Sequence, residues 1–153
     1  MESLIAKDSE ALKSIMTPSL LNQEGLDDEV DEFLNFIDGD IINHSEPKGH
    51  ISSWKKRDNK IIQRLMSGYI NSIETSTGKH YSVHHFSMDI YDKAPGEQGV
   101  YCITMVNTDQ YDSDKGYPSG ARVTIGKKLN AYYNELDQEE IRMMEEGEYN
   151  YEG

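Results

Sequence analysis

Apolar and polar positions alternate most regularly between residues 79 and 109, KHYSVHHFSMDIYDKAPGEQGVYCITMVNTD, and this stretch sets the expected fold. Period-two patterning rich in β-branched and aromatic residues predicts two strands joined by a polar turn. In the first strand Tyr81 and Val83 share one parity, whereas Phe86, Met88 and Ile90 share the other. The apolar side therefore switches near His84 and His85, which requires a β-bulge or a twist. Pro95, Gly96 and Gly99 mark the turn, because proline fixes φ and glycine admits positive φ. The second strand, residues 100–106, is apolar on both faces and predicts a central strand covered from both sides. A third strand is expected over 121–125, after a loop spanning 108–120.

Helical spacing appears on either side. Residues 3–16 carry Leu4, Ile5, Leu12, Ile15 and Met16 at loosely helical intervals, and Thr17-Pro18 reads as an N-cap followed by proline at the first helical position. Residues 27–43 place Leu26, Val30, Phe33, Leu34, Ile37 and Ile41 on one helical face. Asp27, Asp28 and Glu29 occupy its first turn, where the helix dipole favours negative charge. A second long helix is expected over 52–73, facing the core through Trp54, Ile61, Ile62, Leu65, Tyr69 and Ile73. A last helix is expected over 127–145, with Leu129, Tyr132, Tyr133, Leu136 and Met143 on its apolar face. The resulting fold class is α+β, a small, largely antiparallel three-stranded sheet flanked by N-terminal helices and one C-terminal helix. One domain is expected over 1–146, with 1–24 loosely packed and 147–153 an acidic disordered tail.

Composition narrows the setting. At 36% hydrophobic and a formal net charge of −13, the 153 residues predict a soluble, cytoplasmic chain. No apolar run approaches the roughly 18 residues of a membrane span, so no membrane contact is expected. The one cysteine, Cys102, cannot form an internal disulfide and reads as a reduced, buried thiol.

Charge is unevenly placed. No basic residue lies between Lys13 and Lys48, while Glu24, Asp27, Asp28, Glu29, Asp31, Glu32, Asp38 and Asp40 gather on and around one expected helix. The next expected helix carries Lys48, Lys55, Lys56, Arg57, Lys60 and Arg64. On structural grounds these would be two solvated faces attracting each other side by side. On functional grounds Asp27, Asp28, Asp31, Glu32 and Asp38 would form an electrostatic docking ridge for a basic protein surface, including that of a nucleic-acid-binding protein. Direct nucleic-acid binding is not expected, because the overall field repels a polyanion. Lys55, Lys56 and Arg57 form at most a small anion-binding cluster.

Metal and cofactor chemistry find little support. His80 and His84 share a strand face but stand about 13 Å apart at the usual rise, too far to share an ion. The acidic loop with Asp112 and Asp114 misses the EF-hand register, since Gly116 falls one place late and no glutamate closes it. His50-Ile51-Ser52 and His85-Phe86-Ser87 repeat an HxS pattern. Paired tripeptides of that form resemble those of the two-histidine phosphoesterases, but the first is expected at a helix start and not on a strand. No metal and no cofactor are expected.

His85-Phe86-Ser87-Met88-Asp89-Ile90-Tyr91, followed by a glycine turn and a hydrophobic strand, resembles the histidine region of the YopJ-type effector acetyltransferases. Phe36-Ile37-Asp38-Gly39-Asp40-Ile41 on a helix, then a helix through Trp54 and Asp58, is similar in layout to that family's N-terminal region. The resemblance implies a histidine that activates a cysteine to accept an acetyl group from acetyl-CoA. His85 matches the histidine, the family's acidic residue falls at Asn107, and no cysteine follows Cys102. It therefore implies a degenerate or truncated relative, in which Lys55, Lys56 and Arg57 would retain an inositol-phosphate dependence.

The function expected from the residues is a non-catalytic, acidic protein-binding module, an inhibitor or effector acting on a host or competitor protein. The alternatives are a degenerate YopJ-like acyltransferase centred on His85 and Asn107, and a structural or assembly component of a virus or secretion system. As an effector it would work inside a host cell. Its oligomeric state is left open.

Overall fold

A computed structural model describes residues 1–145. The expected acidic tail, with Tyr149 and Tyr151, lies outside the described residues. Four short helices come first: α1 (Glu2–Ile5), α2 (Ser9–Lys13), α3 (Pro18–Leu21) and α4 (Leu26–Asn35). Six strands follow: β1 (Ile41–His44), β2 (Lys48–Arg57), β3 (Lys60–Thr75), β4 (His80–Tyr91), β5 (Gly99–Asn107) and β6 (Arg122–Ile125). The closing helix is α5 (Lys127–Glu145).

All strand pairs are antiparallel. The main path runs β1-β3-β4-β5-β6, and β2 also pairs with β3. Strand β3 is therefore the spine. Its C-terminal residues Ile73, Glu74 and Thr75 pair with β1, while Lys60 to Tyr69 pair with β2. The expected three-stranded sheet is corrected to six strands.

Two misassigned helices account for the difference. The acidic helix ends at Asn35 and not at 43, and Ile41 belongs to strand β1. The helix expected over 52–73 is a β-hairpin, so Lys55, Lys56, Arg57 and Trp54 lie on a strand and Asp58 lies in a turn. Asp58 and Asn59 both have positive φ, 47° and 63°, as a two-residue type I′ hairpin turn requires. The N-terminal helix expected over 3–16 is split by Lys7 in a left-handed conformation, φ 49°. Thr17 caps α3 as its side chain predicts, with Oγ1 accepting the Leu20 N–H at 3.2 Å.

The sheet separates two apolar layers. On one face Leu4, Leu12, Met16 and Leu20 join Leu26, Val30, Phe33 and Leu34 of α4 against Ile70, Ile73, Tyr81, Val83, Ile103, Met105, Val123 and Ile125. On the other, Leu65, Met88, Tyr101 and Cys102 pack with Phe86, Tyr91, Leu129 and Tyr133, the last two from α5. Strand β5 contributes to both layers, as its two-sided apolar sequence requires. The apolar side changes along β4 with no bulge at His84 and His85: plain alternation turns Tyr81 and Val83 to the first layer and Phe86 and Met88 to the second, and the nearby register shifts fall elsewhere. Tyr101 is the extra residue between the pairs Phe86–Cys102 and Ser87–Val100, and Asp89 is the extra residue between Leu65–Met88 and Arg64–Ile90.

Candidate functional site

On β4, Tyr81, Val83 and His85 share the face covered by the N-terminal helices. Val83 is opposite Ile70, and His85 is opposite Gly68 on one side and Ile103 on the other. Val83, His85, Ile70 and Ile103 floor a cavity of about 140 Å³. Met1, Ser3 and Leu4 of the α1 segment roof it with Leu12 and Ile15, and Pro47, Lys48 and Tyr69 complete its rim. Apart from Ser3, Lys48, Tyr69 and His85 the lining is apolar.

The His85 ring lies against the β3 backbone at Gly68, where any Cβ would collide with it. It is half-buried, and among the described residues its imidazole has no hydrogen-bond partner. Burial lowers its pKa below the usual histidine value, and His84 lowers it further. A neutral imidazole offers one N–H donor and one acceptor nitrogen. The cavity thus joins a greasy wall to one unused bifunctional polar group.

His84 faces the other way. Its Nε2 is 2.6 Å from Ser67 Oγ, and its ring meets Phe86 edge-on with centroids 4.7 Å apart. Ser67 is buried beneath it, whereas the His84 ring is exposed. Burial, then His50, lowers the His84 pKa.

The structure does not bring His85, Asn107 and Cys102 together. Asn107 is four residues along β5 from Ile103, the partner of His85, and its Oδ1 accepts the Asp109 N–H at 3.1 Å. Cys102 pairs with Phe86 on the opposite face, and burial pushes its thiol up to about 11. His50 does lie on a strand, but it pairs with Ser67 while Gly68 pairs with His85, so the two HxS histidines stand on opposite faces. Among the described residues no group of three or more His, Cys, Asp or Glu side chains is placed to hold a metal ion.

The acidic ridge is exposed. Asp27 pairs with Lys13 and Asp38 with Lys79, each at 2.7 Å, while Asp28, Asp31 and Glu32 make no ion pair among the described residues. Glu29 turns inward, accepting the Gly126 N–H at 2.9 Å and the Gln23 side-chain amide at 3.0 Å. The ridge and the basic hairpin are not side by side. Helix α4 packs on β6 at one edge of the sheet, and β2 lies beyond β3 at the other.

The cavity's apolar roof, Lys48 and Tyr69 were not singled out as site residues by sequence patterning, which reads them as core or surface. Gly68 was the available signal, a glycine inside an otherwise apolar strand.

A sequence profile for a domain of unknown function, DUF5104, matches residues 1–108. The chain belongs to the DUF5104 family. The matched region holds α1 to α4, β1 to β5 and every residue that lines the His85 cavity, whereas β6 and α5 lie beyond it. Comparison with curated proteins gave no match. Within the described residues of this DUF5104 domain no helix is long and apolar enough to cross a membrane, a statement that does not reach β-barrels.

Proposed function

We propose that this domain is a non-catalytic binding protein that takes a small amphipathic ligand in the His85 cavity. The observation that carries the reading is a half-buried, neutral imidazole without a protein hydrogen-bond partner, set in a mostly apolar chamber whose other polar lining residues are Ser3, Lys48 and Tyr69. A dry cavity of roughly 150 Å³ holds benzene, so about 140 Å³ suits a single ring or a short branched chain. His85 would serve one hydroxyl or carboxyl group on that body, and Lys48 at the rim favours a carboxylate. The test is thermal denaturation with phenol, benzoate and toluene, beside a Val83→Trp variant that fills the chamber. Phenol or benzoate should raise Tm in a saturable way, as a ligand that binds only the folded state does, and more than toluene does. Equal shifts in the filled variant, or no shift from any probe, would sink the reading.

A second reading rests on a separate observation, the exposed and unpaired carboxylates of Asp28, Asp31 and Glu32. They support docking of a basic protein surface, with Asp27 and Asp38 at its margins. Charge reversal of the three, Asp28, Asp31 and Glu32 to Lys, should abolish capture of a basic partner that is itself salt-sensitive. Capture unchanged by both treatments would leave the ridge a solvated face.

A further inference from the structure

Strand β2 is the least protected element in the sheet. Nine of its ten residues are exposed, and β3 is the one described strand that pairs with it. Its outer edge therefore offers a row of backbone N–H and C=O groups to solvent. The same strand exposes two large apolar side chains, Ile51 at 50% and Trp54 at 53%. They are opposite Met66 and Arg64, two residues apart on β3, so both project to one side.

The hairpin is also the cationic pole of an anionic chain. Residues 48–64 hold six of the fifteen Lys and Arg residues and one acid, Asp58. Lys60 is matched by Asp92 at 3.1 Å, and Arg64 is paired with Asp89. Lys48 and Arg57 make no ion pair among the described residues, and Lys56 lies over the Trp54 ring at 4.7 Å. An edge armed with like charges and broken by register shifts at Ile51/Ser53 and Lys55/Lys56 rejects a second copy of itself. It accepts the opposite charge.

We propose that the outer edge of β2 is a docking site for an extended acidic peptide of a partner protein, which adds to the sheet as a further strand. Main-chain hydrogen bonds to β2 hold such a segment. Acidic side chains on its two faces meet Lys56 and Arg57, neighbours on β2 that project to opposite sides, and apolar or aromatic side chains on the Trp54 side cover Ile51 and Trp54. A nucleic-acid backbone cannot use the exposed amide edge. Two apolar side chains are a small anchor for a membrane, and the rest of the molecule would repel an anionic bilayer. Neither the ligand cavity nor the acidic ridge is involved.

Trp54 is the only tryptophan, so intrinsic fluorescence reads this edge directly. The probe is an end-blocked EYEVEEE heptapeptide, with its tyrosine replaced by phenylalanine if tyrosine emission interferes. Titration into the full chain should shift Trp54 emission in a saturable way. The double variant Lys56→Glu, Arg57→Glu should weaken binding at least about tenfold with its circular dichroism unchanged. The deciding control is the same peptide N-methylated at alternate residues, which keeps every charge and side chain but removes the N–H groups of one edge. Methylation in one of the two registers should cost about tenfold or more, the loss expected when one or two backbone hydrogen bonds disappear. Equal binding of the parent and both methylated peptides would overturn strand addition in favour of a diffuse charge contact. So would an absence of any shift with the peptide, or a shift seen only with phosphatidylcholine vesicles containing about one-third phosphatidylserine.

Discussion

The imidazole of His85 occupies the space that a side chain at Gly68 would need. The two residues are directly opposite across the β3–β4 ladder, and the missing Cβ lets the ring lie on the neighbouring strand. Gly68→Ala should therefore push His85 toward the cavity and destabilise the fold by about 1–3 kcal/mol, the usual cost of overpacking. Combining it with His85→Ala should recover most of that loss, because the clash needs both side chains. A double-mutant cycle in urea measures the coupling, and additive costs would show that the ring has room elsewhere.

The lowered pKa of His85 fixes the sign of a pH effect. An unfolded histidine titrates near 6.5, whereas burial keeps the folded ring neutral to lower pH. Below about 6.5 the unfolded state binds more protons, so stability falls as pH falls, until the folded pKa is reached. Above that window His85 contributes no pH dependence. Stability profiles of the wild type and His85→Gln should diverge between neutral and mildly acidic pH, with the variant flatter. Ring-proton titration of His85 by NMR should show its midpoint below the usual histidine value of about 6.5.

Two neighbouring acids on α4 should behave oppositely. Glu29 accepts the Gly126 N–H across 97 positions of sequence and ties α4 to the end of β6, whereas Asp28 points to solvent. Glu29→Ala should cost about 1–3 kcal/mol by leaving the Gly126 N–H without its partner. Asp28→Ala should lie within about 0.5 kcal/mol of wild type. Chemical denaturation of the two variants distinguishes them.

The hairpin tip should respond locally. Asn59→Ala places an ordinary side chain at φ 63° and should cost about 1 kcal/mol there. Because β2 is exposed along its length, amide exchange should quicken at Lys55 to Gln63 while the global Tm changes little. An equal change across the whole sheet would mean that the hairpin unfolds only with the core.

The second half of the fold was legible in sequence and the middle was not. Strands β4, β5 and β6 and helix α5 stand within a residue or two of where periodicity puts them, because their spacing fits one geometry only. Strand β3 fits two. Ile61, Leu65 and Tyr69 recur every four residues, a spacing that keeps one face on a helix and also one face on a strand. Asp58-Asn59 could have decided between them, since two turn formers between basic runs signal a hairpin. The cavity was beyond reach for another reason. Its roof comes from residues 1–15 and its floor from residues 69–103, and no local pattern records that two such segments meet.

The N-terminal helices depend for much of their cover on strands that come much later in the chain. Thr17 donates its N–H to Val100 O at 2.9 Å, and Val30 and Phe33 are buried in the layer that includes Val123 and Ile125. At common translation rates of about 5–20 residues per second, Phe33 waits on the order of ten seconds before Ile125 exists to cover it. During that interval the nascent chain carries an unsheltered apolar surface, so newborn copies depend on chaperone occupancy more than the finished protein's stability would suggest.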